Sequence, residues 1–173
     1  MSIGHALLGV LTAGPAHGYD LKRAYDARFP AAKPLAYGQV YATLSRLQRD
    51  ELVEVAETRQ QAGPERTVYA MTDQGRAHLQ SWLGETEPAG PYPADDLVRK
   101  TVTALHLGAD AAGFLRRQRA AHLAMMHDLV ALQRETRDPG ARISIDHTIF
   151  HLDADLRWLE TAASRAQPER STP

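Results

Sequence analysis

The 173-residue sequence predicts a mainly α fold with one small β-hairpin, in which an N-terminal unit holding the hairpin precedes a unit made of helices alone. Three observations predict it. Apolar residues recur at helical spacing through most of the chain. The stretch 52–71 breaks that rhythm with two short alternating runs flanking Gly63-Pro64. Residues 84–93, GETEPAGPYP, hold three prolines and two glycines and read as a linker.

In chain order, Ile3, Ala6, Leu7, Val10 and Leu11 mark a first buried helix over 3–12, stopped by Gly14-Pro15. Gly18 precedes a second, YDLKRAYDARF, with Leu21, Ala24, Tyr25 and Phe29 inward. After Pro30 and Pro34 a third helix runs from about Gly38 to Arg49, with Val40, Leu44 and Leu47 on its inner stripe. Leu52–Val55 and Arg66–Met71 read as strands around the polar loop Thr58–Glu65. Three helices followed by a hairpin make a winged helix-turn-helix. Thr72-Asp73 offers an N-cap for a fourth helix carrying Ala77, Trp82 and Leu83.

Beyond the linker, Leu97, Val98, Val102 and Leu105 mark a helix over about 94–107. Asp110 caps a long one reaching about Arg137, with Leu115, Leu123, Met126, Leu129 and Val130 inside. Asp138-Pro139-Gly140 breaks it, and a last helix spans about 142–165. Its residues Ile145, Ile149, Leu152, Leu156, Leu159 and Ala163 alternate four- and three-residue steps, a heptad seam. The expected domains are therefore 1–83 (winged helix-turn-helix), 84–93 (linker), 94–166 (helical dimerisation and effector domain) and 167–173 (disordered tail). Two long helices cannot bury both apolar faces on a shorter one, so a homodimer through the C-terminal helices is expected, with a monomeric helical hairpin as the alternative.

Composition narrows the function by exclusion. Hydrophobic and charged fractions of 43% and 24% are ordinary globular values. The absence of cysteine removes disulfides, thiolate metal sites and a Cys nucleophile. No uninterrupted apolar run of about 18 residues exists to span a membrane. The N-terminus MSIGHALLGVL lacks a basic leader region, so a cytoplasmic protein is expected. No Gly-rich phosphate loop, nucleophile elbow or H-E-x-x-H stands in the sequence, so neither an enzyme nor a cofactor is expected. Net charge is −1, and residues 1–84 carry nine Lys/Arg against eight Asp/Glu. Any nucleic-acid contact must therefore rest on where charges sit.

They sit on the third helix. Its outer face carries Gly38, Ala42, Ser45, Arg46 and Arg49, flanked by Gln39 and Tyr41, with no carboxylate before Asp50. Small residues allow close approach, while amide, hydroxyl and guanidinium groups match base edges and phosphates. An ordinary solvated helix face has the same composition.

LLGVLTAGPAHGYDLKRAYD, GQVYATLSRLQRDELVE and RTVYAMTDQGRAHL, in that order, resemble the PadR family of bacterial transcriptional regulators. The matching motifs are Gly18-Tyr19-Asp20-Leu21, the set Tyr41, Leu44, Arg46 and Leu47, and Tyr69-x-x-Thr72-x-x-Gly75, together covering about the first 83 residues. One departure stands out: Glu51 occupies the turn after the third helix, where the family usually has glycine. The C-terminal half is similar to the longer subgroup of that family in helix number and length. The resemblance implies a regulator, more often a repressor, whose C-terminal helices dimerise and whose DNA affinity responds to a small molecule or another signal.

The candidate DNA-binding residues are Tyr37, Gln39, Tyr41, Ser45, Arg46 and Arg49, with Arg59 and Arg66 from the wing reaching backbone or minor groove. The expected partner is double-stranded DNA with a palindromic operator; the rival is a winged-helix module that binds protein partners instead. Trp82, Trp158 and Met126 are candidates for a small hydrophobic effector, with core packing as the alternative. No metal site is expected, although His147, His151 and Asp155 fall on one stripe of the last helix and would suit a metal-responsive regulator.

Overall fold

The computed structural model describes residues 2–59, 66–87, 90 and 95–166. The hairpin tip, the C-terminal tail and part of the linker expected above lie outside the described residues. The fold is mainly helical with a small antiparallel sheet, and it divides into two compact units, Met1–Pro88 and Ala89–Pro173.

In the first unit the order is α1 (Ser2–Leu11), β1 (Ala16–His17), α2 (Gly18–Arg28), α3 (Tyr37–Arg49), β2 (Val53–Arg59), β3 (Arg66–Met71) and α4 (Asp73–Gly84). Helix α1 is the central element: Leu7 and Leu8 are fully buried, and Val10 and Leu11 nearly so. Leu21 from α2, Val40 and Leu44 from α3, and Val53 from β2 complete a core closed to solvent. Each such side chain contributes about 1.5–3 kcal/mol relative to leaving it exposed. The inner stripe expected on α3 is present, with Thr43 added to it and its hydroxyl bonded to the Gln39 carbonyl.

The sheet order is β1-β3-β2, so the hairpin is joined by a third strand absent from the sequence prediction. Ala16 pairs with Tyr69 and His17 with Val68. Two residues carry no periodicity; the strand exists because β3 offers an edge and His17 Nδ1 bonds the Thr67 carbonyl oxygen at 3.0 Å. A second difference concerns α4. Ala77 is exposed and Leu83 is 68% exposed, so neither belongs to its inner face. The buried stripe is Gly75 and Leu79, with half-buried His78 and Trp82 beside it. Of the three residues expected on this helix, Trp82 packs against the core, while Ala77 and Leu83 do not.

The second unit holds α5 (Asp96–His106), α6 (Ala111–Glu135) and α7 (Pro139–Arg165). Gln133 donates to Asp146, and His122 faces Asp155, so α6 and α7 run antiparallel. The heptad seam of α7 is packed within the chain: Ile145, Leu152 and Leu159 are buried, with Leu115 and Leu129 of α6. Leu123, expected inside, is 42% exposed, because the α6 stripe that meets α7 runs through His122, Met126 and Leu129. Helix α7 also begins earlier than expected. Asp138 accepts the Ala141 N–H at 2.7 Å and Pro139 takes the first turn, where proline lacks only an N–H that has no helical partner. Thr72, Asp95 and Asp110 cap α4, α5 and α6 in the same way.

Val102 and Leu105 on α5, Leu107 at its C-cap, and Ile143 and Phe150 on α7 remain exposed, the last two at 70% and 72%. No helix among the described residues is long and apolar enough to cross a membrane.

Candidate nucleic-acid interface

Helix α3 presents Tyr37, Gln39, Tyr41, Ser45, Arg46 and Arg49 on its solvent side, every one of them exposed. The six expected residues of this helix are thus on one surface, with Gly38 and Ala42 exposed between them. Arg46 makes no ion pair among the described residues. Arg49 lies 3.9 Å from Asp50, both exposed, a contact too loose and too wet to neutralise the guanidinium. Both arginines also fall in the last turn of α3, where a cation complements the helix dipole. Arg59 and Arg66 oppose each other in the β2–β3 register; their side chains lie outside the description.

Three local devices hold this face, and each corresponds to a sequence motif. The first is at the start of α3, where Ala36 stands at the N-cap without a side-chain cap. The work falls to α2. Tyr19 stacks on Tyr37 at 5.9 Å, Lys22 Nζ lies 5.2 Å from the Tyr37 ring, and the Arg23 guanidinium lies 5.9 Å from the Tyr19 ring. Lys22 bonds Asp26 at 2.6 Å, and the other Asp26 oxygen accepts the Leu35 N–H at 3.1 Å, pinning the segment that leads into α3. Burial pushes the Asp26 carboxyl up, but the Lys22 hydrogen bond, the Leu35 amide and the Lys22 charge outweigh it and hold it below the usual carboxylate range. The hydrogen bond from Lys22 to Asp26 likewise raises the Lys22 ammonium, against the opposing effect of burial.

The second device is Gly18. A Cβ there would stand 2.7 Å from Tyr41 Cε1 and 3.0 Å from Cζ, so glycine is what lets the Tyr41 ring rest on the start of α2. Tyr41 in turn lies close to Tyr69 of β3, whose hydroxyl pKa is raised mainly by burial. The Gly18-Tyr19-Asp20-Leu21 motif therefore seats two aromatic residues of α3, while Leu21 anchors the core.

The third is the turn that ends α3. The Glu51 N–H donates to the Gln48 carbonyl at 3.0 Å and the Leu52 N–H to the Leu47 carbonyl at 2.8 Å, the paired bonds of a Schellman cap. That cap needs a left-handed residue, and Glu51 supplies it at φ 59° where glycine would do so without strain. Thr72 locks the turn from the other side: its hydroxyl donates to the Glu51 carbonyl at 2.7 Å and its N–H to the Leu52 carbonyl at 3.2 Å. The same hydroxyl accepts the Gly75 N–H at 2.9 Å, and a Cβ on Gly75 would run into the Leu52 carbonyl oxygen. Tyr69-x-x-Thr72-x-x-Gly75 is thus the clamp on the far end of α3.

Tyr19, Lys22, Arg23 and Asp26 were not among the expected site residues. The i,i+4 spacing of Lys22 and Asp26 was the available signal, and it reads equally as a solvated helix pair.

A half-open cavity of about 460 Å³ lies along one edge of α3. Gln39, Arg46 and Asp50 line it with His5, Gln74 and His78. His5 stacks on Trp82 at 4.6 Å with parallel rings and on His78 at 5.0 Å with the planes 20° apart. Trp82 is therefore engaged in packing α4 on α1. Trp158 and Met126 are half-buried in the second unit. Of the histidine stripe, His147 and His151 face each other, whereas Asp155 turns to His122 at 3.8 Å. No group of three or more His, Cys, Asp or Glu side chains arranged to hold a metal occurs among the described residues.

Residues 7–81 match the model of the transcriptional regulator PadR-like family. A protein of Mycobacterium tuberculosis described as a probable transcriptional regulator is 28% identical over 115 residues, 66% of this chain and 61% of that protein. The negative transcriptional regulator PadR of Bacillus subtilis is 26% identical over 96 residues, 56% of this chain and 53% of its own length. The matches thus span between about half and three-fifths of those relatives. Bacillus subtilis PadR in complex with operator DNA superposes with a TM-score of 0.77 at 19% identity, covering 96% of this chain and 100% of that one. The same protein in complex with p-coumaric acid gives 0.74 at 18% identity over 96% and 99% of the two chains. The Vibrio cholerae virulence activator AphA gives 0.74 at 18% identity over 94% and 96%. At such identities these likenesses show the fold, a winged helix followed by helices.

Proposed function

We propose that the chain is a transcriptional regulator of the PadR-like family, whose model matches residues 7–81, and that a homodimer inserts α3 as its recognition helix into the major groove of double-stranded DNA. The observation that carries this is the α3 surface: two guanidiniums, an amide, and hydroxyls from Ser45, Tyr37 and Tyr41, exposed together on a helix fixed at both ends. Gln39 suits adenine and Arg46 guanine, while Arg49 and the hydroxyls suit phosphates. Arg59 and Arg66 of the wing would add backbone or minor-groove contacts. In this reading residues 1–83 bind DNA, 84–93 link, and 94–166 dimerise.

Support for the dimer comes from the second unit. Ile143 and Phe150 stand seven residues apart on one face of α7, both largely exposed. Apolar area of that kind on a helix whose other stripe is already packed fits a second copy of the same surface. A two-fold dimer matches a palindromic operator with half-sites about one helical turn apart, or a multiple of it. We take the regulator to be a repressor, on the strength of the negative regulator among its relatives. Release by a small aromatic acid is the matching effector proposal, given the p-coumaric acid complex of Bacillus subtilis PadR. Trp158 and Met126 are better placed for it than Trp82, whose ring is occupied by His5.

The test is fluorescence anisotropy with the duplex upstream of the chain's own gene, repeated across salt concentrations. Specific, salt-sensitive binding supports the proposal. Salt-insensitive or absent binding would favour the rival protein-interaction module, which the net charge of −1 also fits.

A further inference from the structure

Among the described residues two histidine pairs lie close together, and they differ in a way that matters chemically. His5 and His78 bring their Nε2 atoms to 3.0 Å with ring planes only 20° apart, and His5 is buried against Trp82. Burial of His5 leaves a metal ion at that pair little room for further ligands, and the stacking on Trp82 marks the pair as packing. His147 and His151, one turn apart on α7, bring their Nε2 atoms to 3.1 Å with planes tilted by 55°, and both side chains are exposed.

We propose that His147 and His151 form a chelate for a borderline divalent transition-metal ion such as Zn²⁺, Ni²⁺ or Cu²⁺. Zinc–imidazole bonds are about 2.0–2.1 Å long, so a 3.1 Å bite corresponds to an N–M–N angle of about 98°, between the octahedral and tetrahedral values. Two neutral imidazoles are ligands of the right softness for these metals and poor ones for Mg²⁺ or Ca²⁺. Binding requires any proton held between the two Nε2 atoms to move to an Nδ1, and the rings to turn until both lone pairs meet at the metal. The rigid helix holds the second ligand in place for the first. Their exposure leaves the remaining positions to water or to the same pair from a second copy. Asp155, the carboxylate one turn on, serves His122. The site is therefore a two-histidine one, and Ile143 and Phe150 lie along the same side of the helix.

Titration calorimetry of the full chain with ZnCl₂ and NiSO₄ tests this. Saturable binding is expected at one ion per chain, or one per two chains where a second copy contributes. His147→Ala and His151→Ala should each weaken it by roughly a hundredfold, the advantage of an intramolecular second ligand. His127→Ala, an exposed histidine elsewhere, should leave it unchanged. Unaltered circular dichroism in all three variants would show that the fold is not what changed. No saturable binding, or binding in His147→Ala and His151→Ala as tight as in the parent, would overturn the proposal.

Discussion

Replacing Glu51 by glycine should stabilise the first unit. Glu51 is the C′ residue of a complete Schellman cap and holds φ at 59°, a conformation that crowds its Cβ against the backbone. A non-glycine residue there costs about 1–2 kcal/mol. Glycine relieves the crowding but adds freedom to the unfolded chain, offsetting about 0.5–1 kcal/mol. The net gain should be about 0.5–1 kcal/mol, or a rise in Tm of about 2–8 °C for a cooperative unit of this size. No hydrogen bond is lost, because the Glu51 contacts are made by its backbone. Thermal unfolding of Glu51→Gly beside Glu51→Ala and Glu51→Gln isolates the cause. Alanine and glutamine remove the carboxylate and keep the strain, so neither should reproduce the gain. Equal stabilisation in all three would mean that charge is responsible, and a destabilised Glu51→Gly would refute the assignment of strain.

Gly18→Ala should leave stability near that of the parent, yet displace the Tyr41 ring that a Cβ would meet at 2.7 Å. Its loss of DNA affinity should not add to that of Tyr41→Ala, which a double-mutant cycle by anisotropy reads directly. Gly75→Ala should destabilise by several kcal/mol in chemical denaturation, because the obstructing atom is the Leu52 backbone oxygen. Asp26 has a folded pKa below its usual 3.8, so its contribution is present above about pH 4 and lost as pH falls through the lowered value. The Tm difference between the parent and Asp26→Asn should accordingly shrink in acid. Phe150→Glu together with Ile143→Glu should yield monomers in sedimentation velocity with unchanged helical content.

Much of the winged helix was legible because its signals are local and periodic. Val40, Leu44 and Leu47 mark the buried side of α3, and that alone fixes which residues face out. The seam on α7 was equally plain, although the chain itself supplies the partner for it in α6. What stayed hidden depends on tertiary contact. The two-residue β1 is too short to show a period and exists only beside β3. Which residues of α4 are buried was not legible, because Leu83 fits the helical spacing as well as Leu79 does. Only docking on α1 distinguishes them. Lys22 and Asp26 look like any exposed pair until Leu35 returns to the same carboxylate. The meaning of Glu51 was visible as a departure from pattern, and the left-handed turn gives its physical consequence.

The central claim is that the exposed face of α3 binds DNA through phosphates and base edges. It is tested most directly by the salt dependence of operator affinity in the parent and in Arg46→Ala and Arg49→Ala. A dimer engaging six or more phosphates should lose at least about a thousandfold in affinity between 50 and 200 mM salt. Arg46→Ala should cost about 1–3 kcal/mol for a guanine contact and narrow the preference for operator over random duplex. Arg49→Ala should instead weaken both duplexes alike and lower the salt slope by about one per subunit. Affinity indifferent to salt, or unchanged in both variants while circular dichroism stays normal, would contradict the assignment of α3 as the recognition helix.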